Sequence, residues 1–332
     1  MKYISNKFKV NPKALLVGSI ALLMSLSAYA QTHRWTGGGT NNDWGTTANW
    51  GTSPTFAHNR TVSFYQNTSR LTNFIGDTRT IGTLNFEARP ADVTIRFATS
   101  TNLGRQLIMS DTNATQINVE AGASGNFTVG DGFGTLAFTS GDLNVVHNGT
   151  GNLLLNATTI GRSANTWGTG LNLSGTGTLQ IGGGANYTGN TQINGGTFQL
   201  LNGGSMAFEI GDSGVNTQII AAAGTTASFD GEFVFYLEPF GDQISGYAST
   251  IVGSSWTIFT GAGSLSTGSN FAVRDFTPAG GGIWTKDIDG VNAFSFSEST
   301  GVLSVVPEPT TTVLFISLGV AVFAIFRRRK VA

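Results

Sequence analysis

From Gln31 onward the chain never sustains the 3.6-residue apolar period of an amphipathic helix. Short alternating runs take its place: RTVSFY, DVTIRFA, QINVEA, GTLAFTS, DLNVVHN, GNLLLNA, GTLQIGG and GTFQLLN. Each is bounded by Gly, Asn, Asp or Ser, which turn a chain, and alternation puts every second side chain on one face of a strand. The expected class is all-β. The composition fits it: 46 Gly and 23 Phe with only 11% charged residues, while 40% hydrophobic residues make the chain too apolar for a disordered one. The chain has no Cys, so its core and backbone ladders must hold it without disulfides or thiolate metal sites.

The spacing of the runs suggests how they stack. Leu136, Leu154, Leu179 and Phe198 occupy similar Gly-led contexts at intervals of 18, 25 and 19 residues. A period near 20 corresponds to one rung of a parallel β-helix, which buries its inward side chains only by stacking on neighbouring rungs. The expected architecture is a right-handed parallel β-helix, with a β-sandwich or jelly roll as the alternative. The stalk is expected over 31–204 and a further β region over 205–304, with Trp256 and Trp284 in its core. Trp35, Trp44 and Trp50 lie in a polar Gly/Asn-rich stretch. They read as a hydrophobic cap on the open end of the helix, and alternatively as a platform for stacking sugar rings.

The segment LSGTGTLQIGGGANYTGNTQINGGTFQL, Leu173–Leu200, within 171–200, resembles the autotransporter-associated β-strand repeat. Gly175, Gly177, Leu179, Tyr187, Gly189, Thr191, Ile193, Gly196 and Thr197 match its pattern, and Phe198 stands where Leu is usual. The resemblance implies a surface-exposed β-helical stalk and no chemistry. Gly182, Gly183, Gly184, Gly195 and Gly196 are expected to supply positive-φ corners. Too little chain follows for an outer-membrane barrel, and it ends on an apolar run, so export must take another route.

Both ends of the chain carry targeting features. Residues 1–13 hold four Lys, Ala14–Leu26 are apolar, and Ala28 and Ala30 precede Gln31. This is the layout of a signal peptide over 1–30, with a signal helix, export by the Sec machinery and cleavage by signal peptidase before Gln31. At the other end, 305–332, Pro307, Glu308 and Pro309 precede the 17-residue apolar run Thr310–Phe326, followed by Arg327, Arg328, Arg329 and Lys330. At 1.5 Å per residue the run reaches roughly 26 Å, enough for a transmembrane helix over 310–326. The basic cluster stops transfer and stays cytoplasmic. This tail resembles the PEP-CTERM sorting signal of Gram-negative, exopolysaccharide-producing bacteria. The resemblance implies an exosortase, an integral-membrane Cys protease, as partner, transient inner-membrane anchoring, and delivery to the cell surface or extracellular matrix. It also suggests exopolysaccharide as a further partner and a structural or adhesive role in biofilm; the alternative is a polysaccharide-binding or polysaccharide-degrading β-helix.

Between these ends, residues 31–306 hold 10 basic and 18 acidic residues, a formal charge of −8. That balance argues against nucleic acid as a partner. No motif for chemistry stands out. His33, His58 and His147 are isolated, and neither a nucleophile elbow nor a phosphate loop is present. Asp77, Asp92, Glu120, Asp131 and Asp142 could furnish a hydrolase pair, and Arg89, Arg96 and Arg105 could serve a lyase. None has distinguishing spacing, and solvated turn charges are the preferred reading. No enzyme activity, catalytic residue, cofactor or metal is expected.

Overall fold

The computed structural model describes residues 32–65, 69–89, 91–97, 105–111, 115–139, 141–161, 169–211, 216–237 and 252–307. The expected signal peptide with Ala28, Ala30 and Gln31, and the tail from Glu308 through the apolar run to Lys330, lie outside them. The described residues are almost wholly strands and turns, with one short 3-10 turn at Thr47–Asn49. Three parallel sheets dominate, of nine, eight and eight described strands. The chain visits them in rotation. Thr83–Phe86 joins the first, Val93–Arg96 the second and Gln106–Met109 the third; Thr115–Val119 then returns to the first, beside Thr83–Phe86. This rotation is consistent with a β-helix, and the parallel pairing does not fit an antiparallel sandwich.

Alternation fixes the register. On the first sheet, inward Leu84, Ile117, Val145, Leu173, Ile193 and Ala221 align in one column. On the second, Val93, Phe127, Leu153, Leu179, Phe198 and Ala227 do the same, all nearly inaccessible to water. Fully burying a side chain of this kind contributes about 1.5–3 kcal/mol. A single coil has no second layer to realise that gain, so the stack stabilises itself through neighbours. Phe64, Phe86 and Phe127 add stacked rings, with centroids 5.7 and 4.5 Å apart.

Two expectations are corrected. The interval near 20 residues holds for some coils only: Thr61 pairs with Thr83 and Thr72 with Thr94, and in the repeat-like segment Leu171 pairs with Thr191, Thr178 with Thr197 and Gly184 with Ser205. Elsewhere the corner loops differ in length, so that Thr191 pairs with Ile219 and Ile219 with Phe259. Leu136 accordingly belongs to the third sheet, and Leu153, not Leu154, stacks under Leu179. Among the glycines expected at positive φ, only Gly196 adopts it, at 70°. Gly183 serves close approach instead. A Cβ there would lie 1.8 Å from the Ala157 carbonyl oxygen of the preceding coil.

The region 205–304 continues the stalk before it ends in a β cap. The parallel sheets run on through Ser205–Glu209 and Glu232–Tyr236 to Ala272–Val273. The antiparallel strands Thr277–Gly280, Ile283–Asp287, Asn292–Ser297 and Val302–Pro307, with Ser255–Thr257 on the far edge, then form an end sheet. Phe296 from this sheet packs against Phe233, Phe235, Phe259 and Phe271 of the last coils, with centroids 5.4–6.3 Å away. Trp256 is buried in this region and Trp284 is partly buried.

Candidate functional site

Three places could carry function: the Trp cluster, the outward sheet faces, and the junction with the tail. At the N-terminal end the indoles are enclosed. Trp35 and Trp44 have no exposed surface, and Trp50 has 5%. Trp50 meets Trp35 and Trp44 edge-on at 5.0 and 5.5 Å, and Trp44 stacks on Phe56 at 5.7 Å. Their N–H groups are also engaged. Trp44 donates to Asn73 Oδ1 at 2.7 Å, Trp50 to the Trp44 carbonyl at 2.8 Å, and Trp35 to the Ser69 carbonyl at 3.3 Å. The ring faces are taken by other rings, so this is a hydrophobic plug rather than the alternative sugar platform.

The charged residues singled out in the sequence mostly tie one coil to the next. Asp92 accepts from the Asn126 N–H at 2.7 Å, and Asn126 Oδ1 accepts from the Asn152 N–H at 3.0 Å. Asp142 accepts from the Gly170 N–H at 2.6 Å and from Asn172 Nδ2 at 3.1 Å. Asp131 binds Arg96 at 3.0 Å and the Phe97 N–H at 3.1 Å, while Glu120 accepts from Asn85 Nδ2 at 3.0 Å. Asp77 is an exposed turn carboxylate 4.0 Å from Arg79. Arg89 is buried and donates to the Ala91 and Tyr65 carbonyls, and burial holds its pKa below the ordinary value. Arg105 donates to the Ile75 carbonyl at 3.2 Å. Asp92, Asp131, Asp142, Arg89 and Arg105 thereby satisfy backbone groups, while Glu120 and Arg96 bond to side chains of other coils.

Two histidines were missed as core residues because isolated polar letters look like surface. His147 lies on an inward position between Val119 and Gly175 and has no exposed surface. Gly177 makes room for its ring: a Cβ there would lie 2.0 Å from Nδ1. His33 Nε2 accepts from the Thr55 N–H at 3.3 Å. Burial lowers both pKa values, and Arg60 lowers that of His33 further. A folded pKa below the unfolded value of about 6.5 means the unfolded chain binds more protons in acid. The stability linked to these neutral rings is therefore complete above that pH and is lost as pH falls below it. The expected slope is up to about 1.4 kcal/mol per pH unit for each ring as pH falls below about 6.5. Urea unfolding at stepped pH checks it, and His147→Leu should flatten its share of the slope.

The outward faces are polar and largely uncharged. On the first sheet Gln116, Asn144, Asn172 and Gln192 form a row, with Asn172 Nδ2 donating to Asn144 Oδ1 at 3.1 Å. On the second, Thr178, Thr197 and Thr226 align beside Gln180, Gln199 and Ser228. Gln180 Nε2 donates to Gln199 Oε1 at 2.8 Å. Such rows repeat at the strand spacing of about 4.8 Å. They offer amides and hydroxyls at regular intervals along the axis.

The third place is the end of the fold. The strand Val302–Pro307 carries Pro307, the first residue of the Pro-Glu-Pro motif, at its tip. Residues 305–330 match the family model described as the PEP-CTERM protein-sorting motif. The comparisons with curated proteins and with solved structures gave no match. The family match does not extend to the repeat-like segment Leu173–Leu200. The C-terminal segment is thus a PEP-CTERM sorting motif, and it indicates an exported surface protein, anchored through its C-terminus and processed by an exosortase.

Proposed function

We propose that the chain is a non-catalytic surface or extracellular-matrix protein. Its β-helix, wound right-handed as parallel crossovers overwhelmingly are, forms a stalk with a structural or adhesive role in exopolysaccharide or biofilm. The sorting motif over 305–330 carries this reading, because it directs the β domain outward. In this account the signal peptide leads the chain through the Sec machinery. The apolar run 310–326 spans the inner membrane, and Arg327–Lys330 hold it until an exosortase acts. The stalk's resemblance to the autotransporter-associated repeat supports a projecting role. The neutral amide and hydroxyl rows support contact with a polysaccharide, whose hydroxyls they can match along the axis.

The alternative is a polysaccharide-degrading β-helix. The inter-coil hydrogen bonds made by Asp92, Asp131 and Asp142 favour the non-catalytic reading, since these carboxylates already serve the fold. Co-sedimentation of the secreted protein with the producing cell's own exopolysaccharide tests the proposal. The protein should pellet with the polymer, and the pair Thr197→Lys and Gln199→Lys should weaken retention about tenfold, equivalent to about 1.4 kcal/mol. No retention contradicts the adhesive role. Shortening of the polymer during the assay would favour the enzyme.

A further inference from the structure

Charge is divided along the stack. Because the chain visits the three parallel sheets in rotation, position in the sequence maps onto position along the axis. Among the described residues, 32–110 carry seven Arg against four carboxylates, a formal charge of +3. Beyond Arg105 the described residues hold two cations, Arg274 and Lys286, against eleven carboxylates. Seven of those carboxylates lie in 205–307, which gives the C-terminal end a formal charge of −5.

Both ends present part of this charge to solvent. At the N-terminal end the Arg34 side chain is 58% exposed. Arg70 is exposed as well, and its guanidinium donates to neutral acceptors, the Gly37 carbonyl and Asn42 Oδ1, each at 3.0 Å. At the C-terminal end the Asp275 side chain is 72% exposed, 4.0 Å from Lys286. Asp287 and Asp289 are exposed at the turn between Ile283–Asp287 and Asn292–Ser297. They accept from the N–H groups of Gly290, Val291 and Asn292, which carry no formal charge. Val291 on the same turn is exposed. So is Val252, beside Gly253, whose N–H donates to the Val305 carbonyl of the end sheet at 3.1 Å. This end thus combines anions with apolar surface.

We infer that copies of the chain join head to tail, the acidic C-terminal end of one stalk docking on the basic N-terminal end of the next. Sign selects among the three end-on arrangements. Contact between two N-terminal ends sets positive against positive, and contact between two C-terminal ends sets negative against negative. The mixed contact pairs opposite signs, which steers the encounter and fixes its direction. It is heterologous, so every added copy leaves one free end of each kind and the assembly grows as a line. The outward rows on the sides are neutral and partly bonded to one another, as in Gln180 to Gln199 and Asn172 to Asn144, and supply no charge to steer a side-by-side pair. The partner is the chain itself, so the inference stands apart from contact with polysaccharide.

The test is sedimentation velocity of the protein recovered from the cell surface, freed of polymer, at stepped concentrations. In about 0.01 M salt, where the Debye length is about 30 Å, species beyond the dimer should grow with concentration. In about 1 M salt, where it is about 3 Å, association should weaken about tenfold or more. Two double variants test the pairing of the ends. Asp275→Lys with Asp287→Lys, and Arg34→Glu with Arg70→Glu, each give the two ends the same sign, and each should sediment as a monomer. Their equimolar mixture should assemble again, because the reversed C-terminal end of one matches the reversed N-terminal end of the other. A wild type that stays monomeric in low salt, stops at the dimer or ignores salt overturns the inference, whatever the variants do. A mixture that stays monomeric while both variants keep the wild-type circular dichroism also overturns it. Neither result bears on co-sedimentation with exopolysaccharide.

Discussion

Phe296→Ala should destabilise the secreted protein by about 3–5 kcal/mol, the usual cost of emptying a fully buried Phe site. Phe296 has no exposed surface, and its ring meets Phe233, Phe235, Phe259 and Phe271. Those four come from the last described coils, and among the described residues no further coil covers their apolar interior. The end sheet provides the cover, and Phe296 is its central contact. Removing the ring leaves a cavity that four separately anchored rings cannot close together. The cost should appear first at the C-terminal end, because a stacked array loses its terminal units before its middle. Urea unfolding followed by hydrogen exchange checks both the size and the place of the loss. Val291→Ser, at a residue 56% exposed, should stay within about 0.5 kcal/mol. An equal loss from both variants would mean that the end sheet does not close the stack.

This end was only partly legible in the sequence. The alternation of Leu303 and Val305 continues the strand pattern up to Pro307, so the strand could have been followed into the motif. The family match begins at Val305 as well, so the strand and the motif share residues 305–307. The class and the parallel stacking were legible because alternating runs between turn residues leave few other ways to bury Phe, Leu and Ile. The register was not. Leu153 and Leu154 are adjacent and chemically alike, and only the corner length decides which one faces Leu179. Gly183 and Gly177 posed a related difficulty. Their reason is a neighbour in another coil, the Ala157 carbonyl and the His147 ring respectively, and not the local turn. The Trp cap was legible since a stack with an open end needs large apolar residues there. The buried histidines were not, because a single polar residue on an inward position leaves no pattern.

Deleting Pro307–Pro309 should have the largest effect of all on where the protein goes. The deletion removes the motif that the family match contains while leaving Thr310–Phe326 and the basic cluster in place. The apolar run still suits a span and the cluster still stops transfer, so insertion should be unaffected. What is lost is the segment on which the processing enzyme acts. The chain should then remain anchored by its C-terminus, with the β domain outside the inner membrane. Loss of Pro307 removes only the tip of the last strand, which donates no backbone hydrogen bond. Folding should therefore survive, and circular dichroism of the detergent-extracted variant checks that it does.

The most direct measurement is the distribution of the wild-type and deleted chains between inner membrane and cell surface, determined by fractionation and immunoblotting of the producing cell. The account predicts the wild type at the surface, shortened by both ends, and the deleted chain at full C-terminal length in the inner membrane. Equal surface delivery of both chains would contradict it.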